Sequence, residues 1–437
     1  MTQDHALLRD AVGLHLSRQS AKGRVAAWRS FLWPESGAVN PIPALDGLRA
    51  LAVVMVLVFH SWYEQPGYLQ PGQNPYQYPL NYGRTGVHLF FVLSGFLLFL
   101  PYARCMFGMQ SQPSAKLFYV RRLLRVGPAY WVCLALLVVA APITASALRD
   151  ATLHVFFLSN AFPQTTFSIN AVFWTMAVEV QYYAVLPLIG WTAMRLSHKW
   201  NPMGATVGVI GALLLISVSS NYFVKTSTFS RVPILSGLLL GEYSLPFWLA
   251  IFGVGIASSI VYVYLTAVRQ TTSHATLRTW GNRALVAGLC VALGIVFIPG
   301  AYRLPFKDIV FGAAYSALLL GVLFGTPLVS ALFASRPVRF VGFISYSCYL
   351  WHAVVIHAVD AQLPTGMPTS EIVVISFLLG GPLAIAVAYV SFQLFERPFV
   401  RLRRRTHETP PVETVQAHAA RKPAMVLDFD AQRGPLG

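Results

Sequence analysis

Charge is what this chain has least of. Asp, Glu, Lys and Arg make up 11% of its 437 residues, against about 25% in ordinary soluble domains. Acid is the scarcer sign, with 16 Asp and Glu against 32 Lys and Arg. Because 56% of the residues are hydrophobic and the mean hydropathy is +0.58, a soluble globular chain is excluded. Cysteine is sparse as well. Cys105, Cys133, Cys290 and Cys348 are scattered, mostly in apolar runs, which gives neither a disulfide framework nor a CxxC metal site. No Walker motif, zinc-ligand spacing or dinucleotide fingerprint occurs, so ATP, metal and NAD are not implied. The first 40 residues are polar and basic with only short apolar patches, and no cleavable signal peptide is expected there.

What is present is a series of apolar windows about 20 residues long, each enough to cross a bilayer as a helix. They fall near 44–63, 86–108, 126–148, 172–195, 203–223, 245–268, 284–302, 308–333, 338–360 and 371–396. The expected fold is all-α, a polytopic membrane protein of about ten transmembrane helices. Taken in alternation, the segments between these windows hold 25 Lys and Arg on one side and six on the other. Positive loops stay in the cytoplasm, so both termini are expected there, in a cell (inner) membrane. The net charge of +16 is then mostly topological and calls for no nucleic-acid partner. The expected organisation is a basic N-terminal extension over 1–43, a membrane domain over 44–400, and a basic and then disordered tail over 401–437. Segment 4–33 mixes Leu7, Leu8, Trp28 and Phe31 with Arg9, Arg18, Lys22 and Arg24, the pattern of a helix lying on the inner leaflet or of a disordered arm. The tail Arg401-Leu402-Arg403-Arg404-Arg405 reads as a positive-inside anchor.

Acid at depth is the most informative feature. Glu179, in Phe173-Trp174-Thr175-Met176-Ala177-Val178-Glu179, is the one acidic side chain deep inside an expected span. A charge in hydrocarbon costs roughly 3 kcal/mol or more, so such a residue marks a functional site by default. The other reading is a buried ion pair. In the first span Arg49 and His60 are eleven residues apart, which returns to nearly the same helix face about 16 Å farther along the axis. That geometry suits a long anionic ligand entering from the cytoplasm with its reactive end near an imidazole; alternatively, both side chains snorkel to opposite headgroups. Asp46, one turn before Arg49, can hold the guanidinium. Arg121, Arg122 and Arg125 lie beside aromatics at the inner surface and read as a topology anchor or as a clamp for phosphate. Ser94 lies among glycines that permit close helix approach.

Several motifs in order resemble the acyltransferase 3 family of integral-membrane O-acyltransferases. They are Leu45-Asp46-Gly47-Leu48-Arg49 running to His60, the Gly86 to Phe96 run, the Arg121/Arg122/Arg125 cluster followed by Pro128 and Tyr130, and Phe173-Trp174-Thr175 leading to Glu179. Ser345-Tyr346-Ser347-Cys348-Tyr349-Leu350-Trp351-His352 and Phe395-Glu396-Arg397-Pro398-Phe399 complete the set. The resemblance covers roughly 42–400. It departs from the family pattern at His88, where relatives often have an acid, and at Ala353, where a proline often follows the histidine. The resemblance implies transfer of an acyl group, commonly acetyl, from cytoplasmic acyl-CoA as co-substrate to a hydroxyl of a sugar, envelope glycan, glycolipid or glycosylated small molecule, with no bound cofactor and no metal. It carries the family's Arg and His to Arg49 and His60 and its span-4 acid to Glu179; His60 and Glu179 are expected to be catalytic, and Arg49 with Arg121, Arg122 and Arg125, by their place at the inner surface, to contact acyl-CoA. Asp46, Trp174, Ser345, His352 and Glu396 are supporting positions.

Acyl transfer to a hydroxyl needs a base, donors for the tetrahedral oxyanion, and a hold on the thioester. An imidazole with an ordinary pKa of about 6.5 suits the base, and Glu179 is expected to orient His60 as the acid of a triad does. His352 either joins this polar cluster or packs beside Trp351. The competing class is a transporter or flippase with a Glu/His proton relay, against which stands the lack of an internal repeat between 44–223 and 245–396.

Overall fold

The structure is a computed structural model that describes residues 42–63, 80–140, 144–226, 238–239, 241–269, 272–298 and 306–400. The expected inner-leaflet helix over 4–33 and the tail over 401–437 lie outside the described residues. Among those described the chain is helical, with no strand, because hydrocarbon leaves backbone groups no other partner than their own helix.

Helix α1 spans Ala44–Tyr63 and α2 spans Gly86–Met106, the latter entered through a 3-10 turn at Tyr82–Thr85. Then follow α3 (Ala115–Ala140), the short α4 (Ala145–Val155), α5 (Phe173–Lys199), α6 (Pro202–Thr226) and α7 (Leu245–Val263). The second half holds α8 (His274–Phe297), α9 (Lys307–Phe324), α10 (Pro327–Phe333), α11 (Arg336–Phe343) and α12 (Ser345–Asp360). It ends with α13 (Thr369–Ile375) and α14 (Gly381–Ser391), joined and followed by π-turns at Ser376–Gly380 and Phe392–Glu396.

Eight helices among the described residues are long and apolar enough to cross a membrane, or nine when α11 and α12, bent by 72° at Ile344, count as one broken span. The expected ten is not reached on that measure. The window at 172–195 is the difference: α5 has 27 residues, about 40 Å of helix, but Glu179, Gln181 and Arg195 lower its apolarity. Boundaries moved for local reasons. The window at 126–148 is replaced by a helix that begins at Ala115 and therefore carries Arg121, Arg122 and Arg125 within it. The window at 284–302 begins ten residues earlier, where the Ser273 hydroxyl accepts from the Thr276 N–H and caps α8. The window at 308–333 stops at Phe324, and Pro327 starts a new helix at its first position.

Helix α2 sits centrally, packed on α1, α5, α7 and α9. Its crossing with α7 is tight because both helices present glycine there. A Cβ on Gly95 would run into the Phe252 carbonyl, and one on Gly255 into the Val92 carbonyl, the close approach that small residues permit in membranes. Phe252 and Tyr182 stack beside this crossing at 3.8 Å between ring centroids, and Phe91 stacks on Phe252 from α2.

Gly95→Ala should therefore force α2 from α7 and cost about 1–3 kcal/mol. Gly211→Ala, with open space around the position, should be neutral or stabilising by up to about 1 kcal/mol. Thermal unfolding of both variants in detergent separates them, and indistinguishable midpoints would contradict the crossing.

Candidate active site

Two cavities lie along α1 and α2. The first, of about 280 Å³, is walled by Arg49 from α1, Arg104 from the last turn of α2, Arg122 and Arg125 from α3, and Glu179 from α5. Four guanidinium groups thus share a chamber with one carboxylate. Arg49 lies 3.7 Å from Asp46 Oδ1, and Arg339 of α11 approaches the other oxygen at 3.6 Å. The guanidinium of Arg122 lies over the Phe118 and Tyr183 rings at 5.6 and 5.9 Å, a cation–π arrangement that fixes the fork without a carboxylate. Glu179 Oε1 accepts from Ser94 Oγ at 2.9 Å and from the Tyr183 hydroxyl at 2.5 Å. Ser94 is therefore more than a small packing residue, since it ties α2 to the acid of α5.

The second cavity, of about 310 Å³, contains His60 near the far end of α1, with Trp174, Tyr243 and Trp248 forming an aromatic wall. Trp174 meets Tyr243 edge-on at 5.0 Å and Trp248 at 5.6 Å. Across from them lies an ion-pair group that sequence reading missed: Asp308 of α9 accepts from His88 Nε2 at 2.9 Å and from Lys307 Nζ at 3.2 Å. The acid that the resemblance leads one to expect at position 88 is thus brought against His88 from another helix. Spacing within one span cannot reveal such a pairing.

Val87 and Tyr349 line both cavities. The Tyr349 hydroxyl is hydrogen-bonded to Thr175 Oγ1 at 2.8 Å, so this ring stands between the chambers with its polar tip tied to α5. Three residues further along α12, His352 is fully buried. Its Nδ1 donates to the Tyr349 carbonyl at 2.8 Å, with the Cys348 carbonyl at 3.2 Å. Its ring meets that of His60 edge-on, with centroids 4.8 Å apart.

The structure brings Arg49, Arg122, Arg125 and Glu179 together, with Ser345 on the same wall, and places His60 and Trp174 in the other chamber. One expected pairing is not made. Glu179 is hydrogen-bonded to Ser94 and Tyr183 among the arginines and does not bond to His60, whose ring meets those of Phe59, Tyr63 and His352. Arg121 lines neither chamber, and Arg104 takes the fourth place. Arg104 was overlooked because it closes an otherwise apolar span, although it sits at the same end of the bundle as the α3 arginines. Glu396 lines neither cavity: it accepts from Ser347 Oγ, while Ser391 bonds Ser347 at 3.2 Å and Trp351 Nε1 at 3.1 Å. Its role is to fasten the C-terminal helix to α12. Among the described residues no group of three or more His, Cys, Asp or Glu is placed to hold a metal.

Comparison with known proteins places this architecture. Residues 42–392 match the model of the acyltransferase domain. The chain is 27% identical over 383 residues to the peptidoglycan O-acetyltransferase OatA of Listeria monocytogenes, covering 82% of this chain and 55% of that protein. It is 25% identical over 390 residues to the O-acetyltransferase OatA of Staphylococcus aureus, covering 82% and 57%. Nodulation protein 10 of Rhizobium leguminosarum bv. viciae is 26% identical over 391 residues, covering 82% of this chain and 93% of that one. The chain spans a little over half the length of the OatA relatives and nearly the whole of the nodulation protein. No solved structure matches. With the family's domain extending over most of its length, from the start of α1 into the C-terminal helix, the chain belongs to the acyltransferase 3 family.

Proposed function

We propose that this chain is an integral-membrane O-acyltransferase that moves an acyl group, acetyl in the first instance, from cytoplasmic acyl-CoA to a hydroxyl on a sugar, envelope glycan or glycoside. The observation that carries the reading is the pair of chambers meeting at Val87 and Tyr349, one walled by arginine and the other holding His60. The names of the OatA relatives, which are O-acetyltransferases, support the reaction class.

In this reading the arginine chamber faces the cytoplasm, in keeping with the distribution of Lys and Arg. It receives the slender acyl-pantetheine arm, and the phosphates of CoA stay at the rim with Arg104, Arg122 and Arg125. Charge-assisted bonds from guanidinium forks suit phosphate better than any neutral donor. Glu179, held by Ser94 and Tyr183, spaces the arginines and limits their mutual repulsion. The thioester carbon comes to the junction at Tyr349. The acceptor enters the aromatic chamber, where Trp174, Tyr243 and Trp248 give a sugar ring apolar faces and His60 takes the hydroxyl proton. The acceptor oxygen attacks the thioester carbon, the C–S bond breaks, and the imidazolium returns its proton to the CoA sulfur. Direct transfer of this kind needs no acyl-enzyme.

The test is mass spectrometry of envelope glycans and small glycosides from cells with and without the gene. An acyl-sized mass difference that depends on the gene and vanishes with His60→Ala is expected, since a general base contributes about 10²–10⁴ in rate. A difference that survives His60→Ala would remove His60 as the base. Because Glu179 and His60 share no hydrogen-bond partner, their effects should be independent. Acyl transfer in the double variant His60→Ala with Glu179→Gln should fall by the product of the single losses; a double variant no worse than His60→Ala alone would restore the triad arrangement.

Each phosphate contact should be worth about 1.5–3 kcal/mol. Arg122→Ala and Arg104→Ala should then raise the apparent constant for acetyl-CoA roughly 10-fold or more, and Arg121→Ala should leave it near wild type. Normal acetyl-CoA dependence in both chamber variants, at normal protein levels, would reduce these residues to topology anchors.

Both termini are placed in the cytoplasm by the basic bias. Reporters that are active on one side only, fused after residues 75, 160, 232 and 365, should report the outer side; cytoplasmic signals at those sites would reverse the chambers.

A further inference from the structure

A general base works best when a neighbour holds its non-reacting nitrogen. No carboxylate among the described residues is hydrogen-bonded to His60. Glu179 is committed to Ser94 and Tyr183 in the other chamber, and Asp308 is committed to His88 and Lys307. What faces His60 is His352, edge-on at 4.8 Å.

The tautomer of His352 follows from its backbone contacts. A carbonyl oxygen can only accept, so the Nδ1 that lies 2.8 Å from the Tyr349 carbonyl carries the hydrogen. A neutral imidazole has one N–H, and Nε2 is therefore left with a lone pair. This nitrogen is buried and has no partner among the described residues, a state that costs about 1–3 kcal/mol when nothing repays it. His60 is the polar ring beside it, its own nitrogens make no hydrogen bond to a described residue, and it is only half-buried. A small rotation of the His60 ring joins them: two imidazoles linked by one N–H···N bond of about 2.9 Å have centroids close to the separation seen.

We infer that His352 is the positioning residue of the reaction, accepting the non-reacting N–H of His60 at Nε2 and so fixing which nitrogen of His60 faces the acceptor hydroxyl. The inference rests on His60 being the base. When the hydroxyl proton passes to His60, the O–C bond forms and the thioester C–S bond breaks; the sulfur then recovers that proton. His352 gains and loses nothing: its lone pair holds the N–H of the transient imidazolium throughout. The titratable side chains in contact with the pair are Tyr63 from α1 and Tyr349 from α12. A neutral acceptor is the choice that a bilayer favours, because a carboxylate in the same place would have to be buried as a charge in the resting enzyme.

The experiment uses membranes from cells that make the full chain or its variants, supplied with radiolabelled acetyl-CoA, and follows base-labile label entering the endogenous glycan and glycoside fraction. His352→Met keeps the bulk and removes the acceptor, whereas His352→Gln restores an acceptor in the amide oxygen. His352→Met should lower the maximal rate about 100-fold with the apparent constant for acetyl-CoA unchanged, and His352→Gln should recover at least about 10-fold of that loss. A His352→Met rate within twofold of wild type, or equal rates in the Met and Gln variants at equal protein levels, would overturn the inference. His60→Ala in the same membranes keeps the two ideas apart. If it abolishes transfer while His352→Met does not, the base stands and the pairing falls. If transfer persists in His60→Ala, or wild-type membranes transfer no label, the reading beneath the pairing falls and takes it along.

Discussion

Charge taken into hydrocarbon must meet a partner there, and the packing of this bundle follows from how few acids it carries to depth and what each one meets. Glu179 draws Ser94 of α2 to α5. Asp308 draws His88 of α2 to α9. Asp46 stands between Arg49 of α1 and Arg339 of α11, and Glu396 holds Ser347 of α12. Helix–helix association in a bilayer lacks the hydrophobic drive it has in water, so such polar contacts and the glycine crossing of α2 with α7 fix which faces meet. Where polar side chains gather, apolar packing stops, and the two chambers open at those places. The site is thus a consequence of the same contacts that orient the helices.

Much of the fold was legible because hydropathy is a local property. Most of the expected windows overlap a long helix, and the basic loops gave an orientation to test. What was not legible depended on neighbours across the bundle. The run 338–360 reads as one span, but Gly342 abuts the backbone at Asp46 of α1 and the helix breaks at Ile344. The α3 arginines read as a loop at the membrane surface; they belong to a helix, on which Arg122 and Arg125 line the chamber and Arg121, one turn before Arg125, does not. Arg49 and His60, eleven residues apart on α1, line one chamber each. The partner of His60 was not legible, because a triad is a matter of distance between helices, and sequence spacing carries no information on it.

The hydrogen bond between Glu179 and His60 that a triad requires is not made. Similar depth on two helices is not enough to bring a carboxylate to an imidazole. In the structure the carboxylate sits with the cations, which in low dielectric gain most from it. The imidazole is left with the His352 ring beside it. A soluble enzyme can keep a carboxylate behind its base because water reaches the surroundings. Within a bilayer each formal charge has to be offset locally, and Glu179 shares its chamber with four arginines.

Helix α12 shows how one element serves both needs. Ser345, Tyr349 and His352 fall at i, i+4 and i+7, a single stripe about 10 Å long that runs from the arginine chamber through the junction to His60. Ser347 and Trp351 lie on the opposite side and bond Ser391 and Glu396. Turning α12 by even one residue's 100° would take His352 from His60 and Tyr349 from Thr175 together. The contacts on the far side prevent that rotation. Glu396 and Ser391 touch neither chamber, yet they help to set the angle at which this stripe is presented. The C-terminal helix is therefore part of the site's geometry, although it contributes no atom to its walls.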